Sequence, residues 1–125
     1  MTGVTLDTGA VVGLERRDTR TLALLVAVTQ RRALITVPSA VVVEWWRGQR
    51  GPASRLLQDF AVEPLTLMLA RSAGEALGRC GRGPSPTDAI VMASAAQRGD
   101  LVLTGDIEDL CKLQTVFPAV RLLRV

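Results

Sequence analysis

Short apolar runs alternate with longer stretches in which apolar residues recur every three or four positions. Val4, Thr5 and Leu6 read as a short buried strand, followed by Asp7, Thr8, Gly9 and the apolar helix start Ala10, Val11, Val12, Gly13, Leu14. Asp18 or Thr19 caps a second helix carrying Leu22, Leu25 and Val26 on one face, closed by Arg31 and Arg32. Residues 33–37, apolar and partly β-branched, predict a second strand. Pro38 breaks that strand and Ser39 is a candidate N-cap for a helix through Val41, Glu44 and Trp46 that ends near Gly48. Gly51 and Pro52 open another helix with Leu56, Leu57 and Phe60 on one face. Residues 62–65 form a third short strand weakened by Pro64, and residues 67–77 a helix with Leu69, Ala73, Ala76 and Leu77 inward.

Residues 78–84, with three glycines and a proline, read as a loop inside the domain. Ser85 then Pro86 mark a strong helix start, with serine at the cap and proline at the first helical position, and Gly99 ends that helix. Residues 101–104 are a strand, Gly105 and Asp106 turn into a short helix ending near Leu113, and residues 120–125 are the last strand. Strands separated by helices predict an α/β sandwich with a mainly parallel central sheet flanked by helices.

Composition agrees with that reading. The 125 residues make one ordinary domain spanning 1–125, with 48% apolar and 22% charged residues. Aromatics are only 3%, so the core is built from Leu, Val, Ala and Ile, as suits a covered parallel sheet. No apolar run approaches the ~20 residues that cross a membrane. Residues 1–6 lack the charged start and long apolar body of a leader, and Cys80 and Cys111 show no metal-binding spacing, so free thiols and a cytoplasmic location are expected. The net charge of +3, with 14 of 15 cations arginine, is compatible with a nucleic-acid partner; surface solvation explains it equally well.

The chain has no histidine and no tyrosine, so any chemistry falls to its carboxylates. Asp7, Glu44, Asp88 and Asp106 sit where strands end or inside the helices that follow, with Asp109 one turn beyond the last. Ligands bind beyond the carboxyl ends of the strands in open α/β sheets. Each aspartate alone also fits helix capping: Asp106 and Asp109 resemble a capping box, and Asp88 lies behind the Ser85 cap. Glu44 lies in the apolar run from Val41 to Trp46, where a buried charge is costly unless paired or bound to a cation; an ion pair with Arg47 or exposure on a polar face are the alternatives. Converging carboxylates repel, and a hard divalent cation such as Mg2+ relieves that repulsion through oxygen ligands. Thr8, Thr87 and Thr104 each lie near an acid, as orienting hydroxyls or as local caps.

Taken in order, these segments resemble the PIN-domain nucleases, in particular the VapC-type toxins of prokaryotic toxin–antitoxin pairs. The matching residues are Leu6 to Leu14 around Asp7, Glu44 after Pro38 and Ser39, Thr87, Asp88 and Ala89 to Val91, then Val102, Leu103, Thr104, Gly105 and Asp106 with Asp109 and Leu110. The resemblance implies a PIN-like three-layer sandwich and a Mg2+- or Mn2+-dependent endoribonuclease. It makes Asp7, Glu44, Asp88 and Asp106 the acidic quartet, with Asp7, Asp88, Asp106 and Asp109 as metal ligands. It also implies homodimers, an RNA substrate and a cognate antitoxin covering the site. Val42, Trp45, Trp46, Leu56 and Leu57 are candidates to line the antitoxin's apolar groove, although core packing accounts for them too. Arg16, Arg47, Arg50 and Arg82 are candidates for phosphate contacts.

Two other classes stay open on the sequence. A catalytically silent PIN-like module would hold RNA or protein without cutting. A haloacid-type phosphatase would carry a second aspartate where Gly9 stands, and a receiver would carry an early acidic pair where only Asp7 is present.

Overall fold

The structure, a computed structural model, describes residues 3–125. Residues 1 and 2, which begin the stretch read above as too short for a leader, lie outside the described residues. Five strands, β1 (Val4–Leu6), β2 (Ile35–Pro38), β3 (Ala61–Glu63), β4 (Leu101–Thr104) and β5 (Arg121–Arg124), form one sheet in the order β3-β2-β1-β4-β5. All four pairings are parallel, with Val4 opposite both Ile35 and Leu101. The three inner strands are almost wholly buried while β3 and β5 are more exposed, as expected when helices cover both faces of the middle of a parallel sheet.

Helices α1 (Thr8–Glu15), α2 (Thr19–Gln30), α3 (Ser39–Trp45), α4 (Leu67–Cys80), α5 (Pro86–Arg98) and α6 (Ile107–Leu113) flank that sheet. Helices α1 and α5 lie on the central strands, and α4 and α6 pack against α5. Helix α5 is buried along seven consecutive residues, Ala89 to Ala95. It tolerates this because four of them are alanine or serine, so neighbouring backbones approach closely. The fully buried large side chains are aliphatic or Met: Leu6, Leu69, Met92, Leu103, Leu110 and Leu113 lead them. Truncating any of these leucines to alanine costs about 2–5 kcal/mol.

Several sequence expectations are corrected. Pro38 does not precede the break but is the last residue of β2, in register with Glu63. Its φ of −61° leads straight into α3, which has no side-chain cap; Ser39 is the first helical residue. Helix α3 stops at Trp45, because Trp46 is extended. The segment opened by Gly51 is only a 3-10 turn, Gly51–Arg55, since one short turn gains too few hydrogen bonds to nucleate an α-helix. Leu56, Leu57 and Phe60 still pack against the core. The third strand is Ala61–Glu63, stopped by Pro64. Helix α4 carries on through Gly78 to Cys80, and Gly81, at φ +73°, caps it.

The order of the strands fixes where ligands meet the sheet. The chain moves outward from β1 through β2 to β3, then returns to the other side of β1 for β4 and β5. The reversal lies between β1 and β4, and such a switch point opens a crevice beyond the carboxyl ends of the strands. Asp7 directly follows β1, and Asp106 follows β4 after Gly105.

Candidate metal centre

Asp7, Thr8, Gly9, Glu44, Ser85, Asp88, Gly105, Asp106 and Asp109 line one cleft of 410 Å3 at this switch point. All five acids singled out in the sequence therefore converge, although they come from four separate stretches of chain. Carboxylate oxygens of Asp88, Asp106 and Asp109 lie within 4.8 Å of one another. Opposite ligands on Mg2+ are about 4 Å apart, so small side-chain adjustments suffice for a common ion. A donor set of carboxylate oxygens without histidine or cysteine suits a hard divalent cation.

Each acid is held differently. Asp7 is buried and caps α1: its Oδ1 accepts from the Ala10 N–H at 2.9 Å and from the Gly105 N–H at 3.3 Å. Burial raises its pKa, opposed by hydrogen bonds from the Thr104 hydroxyl and from those two amides; the charge of Asp88 raises it further. Asp88 forms a true capping box with Ser85. The Ser85 N–H donates to Asp88 Oδ2 at 2.9 Å, and the Asp88 N–H donates to Ser85 Oγ at 3.1 Å. Burial raises the pKa of Asp88, the Ser85 bonds oppose it, and the charges of Asp106 and Asp109 raise it again. The capping alternative is thus true of Asp7 and Asp88 without excluding a second role, because each carboxylate has more acceptor sites than its cap uses.

Asp106 is different. It occupies the position before α6 but makes no side-chain cap. Its own N–H donates to Thr104 Oγ1 at 2.8 Å, and its side chain is exposed in the cleft. With no cap to serve, its carboxylate has all its acceptor sites open toward Asp88 and Asp109.

Glu44 corrects the premise on which it was picked. It is exposed and not buried, the alternative of exposure on a polar face, because α3 turns Val43 and Glu44 away from the side that buries Val41 and Trp45. Its partner is Thr8, whose hydroxyl donates to Oε1 at 2.5 Å. Arg47 does not pair with it; that guanidinium turns back to the carbonyls of Val43 and Trp46. Of the three threonines, Thr8 orients Glu44, Thr104 serves both Asp7 and Asp106, and Thr87 lines the cleft.

Of the residues expected in an apolar groove, Trp45 is core, Val42, Leu56 and Leu57 pack against the core, and Trp46 alone is exposed. A larger apolar groove of 690 Å3 lies elsewhere, between α2 and the β2–β3 side, with Leu22, Val26, Leu34 and Phe60 on its walls. It holds few polar groups and none of the cleft's acids. Sequence reading missed this groove because Leu34 looked like strand interior, whereas it precedes β2 and is 62% exposed. It also missed Arg98, which joins Glu63, Asp100, Thr5 and Ser94 beneath α5.

No protein-family model matches the sequence, and no curated protein matches it either. Its likeness is to solved structures. A chain of VapBC2 from Rickettsia felis, solved bound to a DNA fragment from its promoter, superposes with a TM-score of 0.73 at 15% identity over 98% of both chains. DNA-bound VapBC from Salmonella typhimurium gives 0.70 at 20% identity over 99% of this chain and 98% of that one. FitAcB from Neisseria gonorrhoeae gives 0.70 at 17% identity over 96% of both. The chain has a PIN-like α/β fold, with an all-parallel five-stranded sheet flanked by helices.

Proposed function

We propose that this protein is the toxin of a toxin–antitoxin pair, a divalent-metal-dependent endoribonuclease that hydrolyses RNA phosphodiester bonds in the cytoplasm. One observation carries the reading: five acids from four stretches of chain meet in a single cleft at the switch point of a fold shared with VapBC and FitAB structures. Three of them approach closely, and among the described residues the basic side chain nearest to them is Lys112, whose Nζ lies 3.7 Å from Asp109. Such an arrangement repels itself until a cation enters.

Asp88, Asp106 and Asp109 would hold the ion, with Asp7 behind them. A divalent ion here would supply positive charge to a phosphoryl oxygen and acidify a water. The chain's own residues do the rest. Thr8 fixes Glu44 through Oε1, leaving Oε2 free to accept a proton from an attacking water. Thr104 and the Gly105 amide hold Asp7 against the floor of the cleft. The cleft opens to solvent on the Glu44 and Asp106 side, where an RNA backbone can lie across it. The similar structures are complexes of two proteins, and by the same reading a cognate antitoxin covers this chain, with the apolar groove beside Leu34 as a surface it can grip. A homodimer belongs to the same reading.

The test is cleavage of RNA by purified, antitoxin-free protein with Mg2+ or Mn2+, and its loss on chelation. Asp7→Asn and Asp106→Asn should each abolish it, and Asp7→Asn should reverse growth arrest on expression. Undiminished cleavage by both variants would overturn the nuclease reading. Absence of cleavage by the unmodified protein, with RNA still bound, would favour a silent binding module.

A further inference from the structure

The acid cleft does not end at the acids. Gly9 and Gly105 line it, and the same two residues line a second cleft of 330 Å3 on their other side. Between the clefts the wall is bare backbone. A Cβ on Gly9 would stand 2.8 Å from the Gly105 Cα, so no side chain fits on the saddle where these backbones meet. Beyond the saddle stand Arg16, at the end of α1, and Arg20, in the first turn of α2.

We propose that this second cleft receives an RNA phosphate next to the one at the acids, with Arg16 and Arg20 as positioning residues for the substrate backbone. The inference rests on the nuclease reading and extends it by giving the bound strand a direction, from the acids over the saddle toward α2. Three observations favour it. Arg20 is pinned by its Nε to the Arg124 carbonyl at 3.1 Å, while its two terminal nitrogens make no hydrogen bond among the described residues. A guanidinium fixed at its root and open at its fork suits two-point recognition of a phosphate. Asp18, the one acidic side chain lining this cleft, accepts from both the N–H and the hydroxyl of Thr21 through Oδ2 at 2.9 Å; it stays charged, held so by those bonds and in smaller part by Arg20, and the two guanidiniums still leave the lining side chains with a net positive charge. Finally, an acidic cleft beside a basic one is the charge pattern that a polyanion needs when one phosphate sits on a cation and its neighbour on the protein. The sequence marks Arg16 but not Arg20; the tight α1–α2 turn keeps the two near each other, and packing against the Gly9–Gly105 saddle places both on this cleft.

The experiment measures binding, so it does not depend on turnover. A short fluorescein-labelled single-stranded RNA is titrated with chelator-treated full-length protein at several salt concentrations, and cleavage with Mg2+ or Mn2+ is assayed in parallel. The Arg16→Gln, Arg20→Gln double variant should bind at least fivefold more weakly, and the slope of log affinity against log salt should flatten by about 0.7, the loss of one phosphate contact. Arg16→Lys with Arg20→Lys should recover most of the slope. Arg31→Gln removes one charge near the amino ends of β1 and β4, the opposite end of the strands from the cleft, and should leave the slope unchanged. An unchanged affinity and slope in the double variant would overturn the inference while leaving the nuclease reading intact if the unmodified protein cleaves. Unchanged RNA binding with lost affinity for a poly-glutamate peptide would also overturn it, assigning the cleft to an acidic protein partner. RNA that fails to bind the unmodified protein at all would overturn both.

Discussion

The Thr8 hydroxyl donates to Glu44 Oε1 across 2.5 Å, joining the first turn of α1 to the far end of α3 over 36 residues of sequence. Glu44 is otherwise an exposed side chain on a short helix, free to sample several rotamers. Thr8→Val keeps the shape and removes the donor. If Glu44 accepts a proton during cleavage, losing an orienting bond worth about 1 kcal/mol lowers kcat roughly five- to tenfold. Substrate affinity should stay near its original value, and the melting temperature should fall by no more than about 5 °C, the shift that loss of about 1 kcal/mol produces in a domain of this size. Steady-state kinetics alongside a thermal melt separate the two effects. A kcat equal to that of the unmodified protein would remove Glu44's orientation from the mechanism.

Asp106 offers a clean test of cation binding, since its carboxylate makes no cap that its loss would break. Asp106→Asn should leave metal-free stability within about 0.5 kcal/mol of the original. Saturating Mg2+ or Mn2+ should stabilise the unmodified protein, by about 2.7 kcal/mol at a hundredfold excess over Kd, and the variant far less. Thermal melts with metal and with chelator measure both. Equal metal-induced shifts in the two proteins would exclude Asp106 as a ligand.

The raised pKa values of Asp7 and Asp88 give a signed pH dependence. A carboxyl whose folded pKa lies above its unfolded value holds its proton more tightly when folded. Stability then falls as pH rises from about 3.8 through the folded pKa, and the penalty is complete above it. Asp18, whose pKa is lowered by its Thr21 bonds, works in the opposite sense, so the comparison must be made between variants and not along a single curve. In chelator, Asp7→Asn should be more stable than the unmodified protein near neutral pH, since asparagine still accepts from the Ala10 amide without carrying a buried charge. The advantage should shrink toward zero as pH falls to about 3.8 and the original carboxyl becomes neutral. Chemical denaturation at several pH values reads this directly, and an advantage that grew on acidification would contradict the assigned direction.

Arg98 binds Asp100 Oδ2 at 2.9 Å and Glu63 Oε2 at 2.5 Å, and donates to the hydroxyls of Thr5 and Ser94. Asp100 is almost fully buried. Arg98→Met keeps the apolar stem and leaves that carboxylate with only the Thr5 hydroxyl, which donates to Oδ2 at 2.8 Å, at a cost of about 2–4 kcal/mol. The paired change Arg98→Met with Asp100→Asn should recover a large part of it. A stability loss for the single variant below about 1 kcal/mol would show that water already screens the network.

Much of the fold could be read along the chain because its signals are local. Ser85 followed by Pro86 starts α5, Gly99 ends it, and Asp18 caps α2, since each acts through bonds within a few residues. Local rules failed where length or burial decided. Residues 51–55 carry helix-start chemistry but too few residues to keep a helix, and Glu44 sits in an apolar run yet faces water because only tertiary packing chooses which side of α3 is covered.

The sequence by itself determined which residue types were available for chemistry: with no histidine and no tyrosine, carboxylates at strand ends or in the helices that follow were the remaining candidates, and the order of motifs around them, with the resemblance it carries, singled out five. The tertiary structure decided that these acids meet, that Asp106 is left without a cap, and that Arg16 and Arg20 stand together across the Gly9–Gly105 saddle. Hydrogen bonds that start and stop helices are set by neighbours in sequence, whereas distances between carboxylates that follow different strands are set by the order and register of the sheet, which pairs residues 97 positions apart, as Leu6 with Leu103.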